Sequence, residues 1–234
     1  MLAWFDAAER ALPWRAPDVG AWAILVSEVM LQQTPVVRVE PVWRAWMERW
    51  PTPADLAAAT GADAVRAWGK LGYPRRAMRL HACAHALVER FDGDVPADVD
   101  ELLSLPGVGD YTARAVACFA FGQDVPVVDI NVRRVLARAA DGDSDAAAPS
   151  AKRDLAAATA ALGTVPADRR TRLSAGLMEL GALVCTARSP RCGECPIHAD
   201  CAWLAAGAPS GTVARRKVQK YEGTDRQARG RLLD

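Results

Sequence analysis

The segment CTARSPRCGECPIHADC, residues 185–201, holds four cysteines in the spacing C-x6-C-x2-C-x5-C. They are Cys185, Cys192, Cys195 and Cys201. Thiolates are soft ligands, and four of them in one short segment suit either zinc or a cubane iron–sulfur cluster. Zinc sites built from four cysteines typically have two C-x2-C pairs, whereas this segment has one, so the spacing favours the cluster.

The same cysteines could instead form disulfides, which persist in oxidising compartments. The N-terminal stretch MLAWFDAAERALPWR lacks a basic segment followed by an apolar run and a cleavage site, so nothing in it directs export. We therefore expect a cytoplasmic, nucleoid-associated protein with reduced cysteines. Cys83 and Cys118 lie in alanine-rich apolar stretches at no ligand spacing, and they are predicted to be core residues.

Length and composition predict an all-α fold. The 234 residues suffice for one large domain or two small ones, and 51% hydrophobic residues are ample for a core. Long stretches rich in alanine, leucine and arginine carry apolar residues at spacings of three and four, while alternating patterns typical of strands are nearly absent. No apolar run is long enough to cross a bilayer, so no membrane partner is expected.

The charge of the chain is informative only locally. A net charge of +1 neither requires nor excludes nucleic acid as a partner. The basic groups are Arg75, Arg76 and Arg79; Arg133, Arg134 and Arg138; Arg188 and Arg191; and Arg215, Arg216 and Lys217. Each is usually a solvated helix face, and contact with phosphate is the alternative.

The sequence LPGVG, residues 105–109, lies between two helical patterns at residues 99–104 and 111–121. Glycines at alternate positions allow a tight turn with positive φ and expose backbone N–H groups at the start of the second helix. Such a turn can hold a DNA phosphate without reading the base sequence. An ordinary interhelical turn is the alternative.

Two carboxylates stand in helical contexts that suit acid–base chemistry. Asp129, in VVDINVRRVL (residues 127–136), is predicted to cap a helix and to be kept ionised by backbone N–H donors and the helix dipole. Glu28, in SEVMLQQT (residues 27–34), lies among apolar helix residues, where burial is expected to raise its pKa. A cap or an arginine ion pair is the alternative for Glu28. One proton-donating and one ionised carboxylate suit cleavage of a glycosidic bond.

Six motifs in one order carry a family resemblance. They are LPWR (12–15), SEVMLQQT (27–34), LGY (71–73), LPGVGDYTA (105–113), VDINV (128–132) and ELGALVC, from residue 179, with its cysteine segment. Over residues 3–205 the combination resembles the helix-hairpin-helix DNA glycosylases, and among them the adenine DNA glycosylases of the MutY type.

The resemblance implies a two-lobed helix-hairpin-helix DNA glycosylase fold. A six-helix barrel lobe would span residues 21–124, and residues 1–20 and 125–205 would form a second lobe around a [4Fe-4S] cluster. Residues 206–234 would be a polar tail or the start of a further domain that recognises 8-oxoguanine. Without that domain, discrimination of 8-oxoguanine from guanine is expected to be weaker.

The implied function is removal of adenine mispaired with 8-oxoguanine or guanine in duplex DNA, by a monomer that flips the base and leaves an abasic site. Glu28 would protonate adenine N7 and later help activate water, and Asp129 would stabilise the oxocarbenium-like sugar. Tyr111 and Asn131 would complete the catalytic site. Bifunctional relatives such as endonuclease III have a lysine where Tyr111 stands, so at most weak strand cleavage is expected.

The remaining residues that the resemblance assigns to DNA or substrate are Leu12, Trp14, Arg15, Gln33, Thr34, Tyr73, Gly107, Gly109 and Glu179. The first three and Glu179 would line the adenine pocket, although Leu12 and Trp14 could be plain core. The residues of the LQQT and LGY motifs would fill the gap and contact the orphan base, with Tyr73 as the stacking wedge. The two glycines would present N–H groups to phosphate.

The chain departs from the common family pattern beside the predicted site. Ile130 stands where a glycine is frequent, Pro74 follows Tyr73 where a second aromatic residue is common, and Pro35 follows the LQQT motif. Pocket shape and mismatch preference are therefore expected to differ from those of typical members.

Two other functions stay open at this point. One is a mismatch thymine or uracil DNA glycosylase of the same fold, which also has a tyrosine in the hairpin; Gln32 and Gln33 argue against it. The other is a non-catalytic DNA-binding protein in which the cluster is a scaffold, and the presence of both Glu28 and Asp129 argues against that.

Overall fold

The computed structural model describes residues 1–210, 222–224 and 227. These residues form helices and turns with no strand, which confirms the predicted fold class. Among them, no helix combines the length and the apolar character needed to span a bilayer. The predicted basic group at Arg215, Arg216 and Lys217 lies outside the described residues, as does most of the polar tail.

Twelve α-helices follow one another in the described residues. They are α1 (Leu2–Ala8), α2 (Ala21–Leu31), α3 (Val36–Arg49), α4 (Pro53–Ala58), α5 (Gly61–Trp68), α6 (Arg75–Phe91), α7 (Val99–Leu103), α8 (Asp110–Phe121), α9 (Ile130–Leu136), α10 (Ala151–Leu162), α11 (Ala167–Leu183) and α12 (Ala202–Ala205). Short 3-10 turns lie at Pro13–Arg15, Gly69–Leu71, Cys192–Glu194 and His198–Asp200, and a π-helical turn at Ala137–Asp141 continues α9.

The larger hydrophobic core lies among α2 to α8. Its centre is aromatic: Trp46 packs edge-on against both Trp50 and Trp68. Leu12 and Trp14, which precede α2, are buried in this core as well. The segment before α2 therefore does not belong to the second lobe alone, because part of it packs with the barrel residues.

A second core gathers α9, α10 and α11, and Met1, Leu2 and Trp4 of the N-terminus pack against it. The apolar face predicted for α9 is buried there, as sequence spacing indicated. Gly181 allows α11 to approach α9 closely, because a Cβ at that position would lie 2.6 Å from the Cβ of Asn131.

A small cluster of Ala115, Cys118 and Val127 joins the two halves. Cys83 and Cys118 are both buried, which confirms the prediction that they are core residues. Burial raises the pKa of the Cys83 thiol to about 12 and that of Cys118 to about 11, so both stay protonated.

Several arginines of the predicted basic groups are committed to protein contacts rather than displayed to solvent. Arg76 is 8% exposed and donates to the carbonyls of Val29, Met30 and Gln32 at 2.7–3.0 Å, which caps the C-terminus of α2. Arg138 is also buried. The alternative of phosphate contact therefore does not hold for these two side chains. Sequence cannot separate such arginines from surface ones, because both types sit in helices at similar spacing.

Candidate active site and metal centre

A cavity of about 1000 Å³ lies between the two cores. The predicted site residues that line it are Leu12, Trp14, Arg15, Glu28, Gln33, Thr34, Tyr111, Asp129, Asn131 and Glu179. They come from α2, α8, α9 with its cap, and α11, and from the segments just before and just after α2, so the fold brings together motifs that are far apart in sequence. Tyr73, Gly107 and Gly109 do not line the cavity.

Glu28 lies on the face of α2 that also carries Ile24, one turn before it, and Leu31, one turn after it, and this face lines the cavity. Its burial raises the pKa to about 7, although the hydroxyl of Tyr111 acts in the opposite direction, and the charge of Asp129 raises it further. The Oε2 atom is buried without a hydrogen-bond partner. Neither a cap nor an arginine ion pair therefore occupies that oxygen, which is free to exchange a proton with a ligand in the cavity.

Asp129 caps α9, as predicted. Its Oδ1 accepts a hydrogen bond from the Val132 N–H at 2.7 Å, and its Oδ2 accepts one from Asn131 Nδ2 at 2.7 Å. These donors favour the charged form, as the sequence indicated, but they are not the largest influence on the pKa. Burial raises the pKa of Asp129 and outweighs the hydrogen bonds from Val132 and Asn131.

Tyr111 is in the first turn of α8, close to both carboxylates. Burial raises the pKa of its phenol well above the ordinary value, and the charges of Glu28 and Asp129 raise it further. The side chain therefore keeps its proton at neutral pH. No amine occupies this point of the hairpin.

Glu179 of α11 is fully buried, yet its surroundings differ from those of Glu28. Arg10 donates to it from Nε at 2.7 Å, from Nη2 at 2.9 Å and from its backbone N–H at 3.1 Å. Arg15 Nη2 adds a bond of 3.0 Å. Burial alone would raise the pKa of Glu179, but these hydrogen bonds outweigh it and hold the pKa below its ordinary value. Sequence reasoning missed Arg10.

Two exposed residues, Gln33 and Tyr73, have a left-handed backbone. Gln33, next to the cavity, has a φ of 55°, and Tyr73, which is 54% exposed, has a φ of 50°. Such values are uncommon outside glycine and concentrate at functional sites.

Thr34 is buried, unlike Gln33 and Tyr73. It donates to the Leu71 carbonyl at 3.4 Å and accepts from Arg76 Nη2 at 3.0 Å. Its hydroxyl links the two loops, so the hydroxyl is already hydrogen-bonded within the protein.

The hairpin glycines play two different parts. Gly107 has a φ of 82°, and a Cβ there would lie 2.7 Å from the Cβ of Arg79, so both conformation and space require glycine. Gly109 has an extended backbone with a φ of −104° and caps α8. The two glycines together predicted a turn with positive φ. Of the two, only Gly107 has a positive φ. No atom lies within 4 Å of a Cβ built at Gly109, which leaves the backbone there open.

The four cysteines of residues 185–201 line a single smaller cavity, and all are free thiols. Among the described residues, no group of three or more His, Cys, Asp or Glu side chains is placed to hold a single metal ion. The four thiols share one cavity, which fits a cluster in which each iron takes one thiolate.

Two arginines that follow Asp129 hold the cysteine segment. Arg138 Nη1 donates to Cys185 Sγ at 3.4 Å and to the Thr186 carbonyl at 2.8 Å. Arg134 donates from Nε to the Cys185 carbonyl and from Nη2 to Asn131 Oδ1, both at 2.7 Å. Arg134 therefore links the cysteine segment to Asn131, which in turn donates a hydrogen bond to Asp129. Sequence placed these arginines in a basic group but did not indicate this role.

Two family descriptions match the chain. Residues 26–159 match the HhH-GPD superfamily base excision DNA repair protein, and residues 185–201 match the iron–sulfur binding domain of endonuclease III. The second match covers all four cysteines and confirms the predicted iron–sulfur site.

Known proteins resemble the whole chain. An adenine DNA glycosylase of Mycolicibacterium smegmatis is 62% identical over 234 residues, which are 100% of this chain and 78% of that protein. An adenine DNA glycosylase of Mycobacterium tuberculosis is 57% identical over 237 residues, covering 100% of this chain and 76% of that protein. The solved structure of a thermostable thymine-DNA glycosylase superposes with a TM-score of 0.77 at 26% identity, over 88% of this chain and 93% of that one.

Proposed function

The chain belongs to the HhH-GPD superfamily of base excision DNA repair proteins, and we propose that it removes adenine mispaired with 8-oxoguanine or guanine from duplex DNA. It is a DNA N-glycosylase. One observation carries the proposal most: Glu28 and Asp129 meet at one cavity with Tyr111 beside them, and the pKa of Glu28 is about 7. A carboxyl group in that state donates a proton at neutral pH.

Adenine inside the base stack cannot reach a cavity between two helical cores, so the proposed reaction begins with base flipping. The DNA would lie across the cleft between a barrel lobe (residues 21–124) and a second lobe (residues 1–20 and 125–205), bound by one monomer. The open backbone at Gly109, next to the left-handed turn at Gly107, supports phosphate binding there. The exposed, left-handed Gln33 and Tyr73 support insertion into the gap that the base leaves.

The bond-breaking step uses the proton of Glu28. Protonated Glu28 would transfer it to N7 of adenine, and the electron pair of the N-glycosidic bond would leave with the base. The resulting Glu28 carboxylate would then take a proton from the water that adds to C1′ of the sugar. The unpartnered Oε2 supports this assignment, since it lacks a competing donor or acceptor in the protein.

Asp129 would stabilise the positive charge that develops on the sugar. The Val132 N–H and the Asn131 amide hold it, so the carboxylate is oriented before the substrate arrives. Tyr111 keeps its proton and offers no amine for a Schiff base, which supports release of an abasic site without strand cleavage. Leu12, Trp14 and Arg15 would enclose the flipped base.

Cys185, Cys192, Cys195 and Cys201 would hold the cluster, proposed as [4Fe-4S]. When bound, it ties the segment after α11 into a fixed loop. Arg134 and Arg138 then connect that loop to Asn131 and to α9, so that the loop supports the geometry of Asp129.

A second candidate is removal of thymine or uracil from mismatches, favoured by the overall likeness to a thymine-DNA glycosylase. The greater identity to two adenine DNA glycosylases favours adenine. Both candidates use the same cavity, so the base that is released distinguishes them.

The deciding experiment is single-turnover base release from duplexes with adenine opposite 8-oxoguanine, guanine or thymine, and with thymine or uracil opposite guanine. Strand breaks are scored before and after alkali. We expect adenine release from the 8-oxoguanine and guanine pairs, with breaks after alkali alone, and its loss in Asp129→Asn. Asp124→Asn, an exposed carboxylate paired with Arg170, is the matched control and should react normally. Thymine or uracil release would favour the second candidate, and breaks without alkali would contradict a monofunctional enzyme.

A further inference from the structure

The large cavity continues past the two carboxylates along one face of α11. Asp168, Arg172, Ala175, Met178 and Ala182 line it and recur every three or four residues, so they form one stripe of the helix. At a rise of 1.5 Å per residue the stripe is about 20 Å long. Pockets for drug-sized ligands occupy roughly 300–1000 Å³, and a purine base is smaller than such ligands. The cavity of about 1000 Å³ therefore exceeds what one flipped base requires.

The extra space follows from the way the helices are packed. α8 packs on α2 and α7, whereas α11 packs on α1, α9 and α10. The two helices thus belong to different cores, and Met178 is the residue of α11 that reaches the small cluster joining them. Phe5 of α1 and Phe119 of α8 form the other walls of this region. We call the part of the cavity between Met178 and Asp168 the α11 channel.

At the far end of the α11 channel the lining residues Asp168 and Arg172 are exposed to solvent, and we call this end the mouth. Arg172 is about half exposed, its guanidinium lies 5.0 Å from the centre of the Phe5 ring, and its Nε donates to Asp6 at 2.8 Å. Its Nη2 also lies 3.5 Å from Glu9 Oε2. Exposed pairs of this kind contribute typically less than about 1 kcal/mol each, so side-chain rotation can open the mouth.

We propose that the excised adenine leaves through the α11 channel while the abasic DNA still covers the cavity on the side of Gln33 and Ile130. This inference rests on the proposed function. The first opening is the one through which the flipped nucleotide enters, so DNA blocks it for as long as the product stays bound. The exposure of Asp168 and Arg172 puts a second opening at the opposite end of the α11 stripe. Between the two openings, the walls formed by Phe5, Phe119 and Met178 can pass a flat purine without holding it in fixed hydrogen bonds.

Narrowing the α11 channel tests the proposal. Ala175 is half-buried on the channel wall, and Ala175→Phe would place a ring in the channel without touching Glu28 or Asp129. Ala156→Phe puts the same ring on the exposed surface of α10 and is the matched control. Arg172→Ala removes the ion pairs with Asp6 and Glu9 and tests the effect of widening the mouth.

Two quantities are measured on one duplex carrying labelled adenine opposite 8-oxoguanine. Rapid quenching into denaturant gives the rate of bond cleavage, and rapid filtration that retains the protein–DNA complex gives the rate at which free adenine appears. For the wild type and Ala156→Phe we expect both rates to agree. For Ala175→Phe we expect unchanged cleavage but adenine release slower by about tenfold or more, a barrier increase of ~1.4 kcal/mol. For Arg172→Ala we expect release at least as fast as in the wild type.

The two ideas fail in different ways. If the quenched reaction yields no adenine, the proposed function is wrong. If cleavage is normal but adenine from Ala175→Phe appears at the cleavage rate, or if adenine from the wild type appears only when the DNA dissociates, the α11 channel is not the exit. Slowed release in Arg172→Ala would likewise overturn the proposal.

Discussion

Glu28 and Glu179 are two buried glutamates that line the same cavity, and the fold treats them in opposite ways. Glu28, in the barrel core, has an oxygen with no partner and a pKa of about 7. Glu179, on the other side of the cleft, receives bonds from two guanidinium groups, and its pKa is held below the ordinary value. Burial is similar, so the difference comes from the partners.

The comparison separates a reactive carboxyl group from a structural one. A buried carboxylate is costly unless it is paired, and the molecule supplies the pairing at Glu179. At Glu28 the described residues form no such ion pair, so burial raises the pKa and the carboxyl group stays largely protonated up to neutral pH. Glu28 is thus prepared for proton transfer, and Glu179 anchors the N-terminal segment to α11.

The largest expected effect is from Glu28→Gln. Removing the proton donor should lower the single-turnover rate of adenine release by roughly 10²–10⁴-fold, the range typical of general acid–base groups. The same change should stabilise the fold at pH 8. The pKa of Glu28 rises from 4.5 to about 7 on folding, so its ionisation opposes folding increasingly between those pH values and fully above them.

The stability change expected from that shift is about 3 kcal/mol in the free energy of unfolding at pH 8, and it should vanish below pH 4.5. Urea unfolding of the wild type and Glu28→Gln at both pH values measures it. An inactive variant that is less stable than the wild type at pH 8 would show that Glu28 is a structural residue like Glu179.

Glu179→Gln tests the paired carboxylate, and here we expect a loss of stability instead of a gain. The change leaves Arg10 and Arg15 without their counter-charge, and breaking a buried pair in this way typically costs about 3–5 kcal/mol. The discount for the partial exposure of both arginines brings the expected loss to about 2–3 kcal/mol in urea unfolding. Glu40→Gln, which removes an exposed pair with Arg44, is the control and should cost less than about 0.5 kcal/mol. Equal losses in the two variants would contradict the comparison.

The pH dependence of the reaction sharpens the comparison without any mutation. If protonated Glu28 is the acid, the single-turnover rate should be level below its pKa of about 7 and should fall by about tenfold per pH unit above it. Glu179 cannot produce this limb, because its pKa is shifted downward. A rate that stays constant from pH 6 to pH 9 would remove Glu28 from the acid role.

Much of this molecule could be predicted from local sequence. Helix periodicity gave the all-α class, the spacing of four cysteines gave the iron–sulfur site, and the apolar face of α9 together with its cap at Asp129 lay within a ten-residue segment. Glu28 could be placed on a buried helix face because its apolar neighbours recur at helical spacing. Each of these features is encoded within one or two turns of a helix.

The features that escaped prediction depend on residues far apart in the chain. Arg10 and Glu179 are separated by 169 positions, and no local pattern announces their pairing. The net upward shift in the pKa of Asp129 was not predicted, because its donors are visible in the sequence, whereas the helices that exclude water from it are not. The hydrogen bonds of the Thr34 hydroxyl to Arg76 and to the Leu71 carbonyl likewise join residues about 40 positions apart, so no local pattern predicts them.

The smallest expected effect comes from Tyr111→Phe, which adjusts the environment of Glu28 without removing its carboxyl group. The Tyr111 hydroxyl favours the charged form of Glu28 and so lowers its pKa, in opposition to burial. Without the hydroxyl the pKa of Glu28 should rise, and the falling limb of the pH–rate profile should move to higher pH by less than about one unit, the equivalent of one neutral hydrogen bond. Below pH 6 the rate should change less than tenfold, since Glu28 is protonated in both proteins. A limb that moves to lower pH would mean that the hydroxyl favours the neutral carboxyl group, so that Tyr111 adds to the effect of burial on the pKa of Glu28 instead of opposing it.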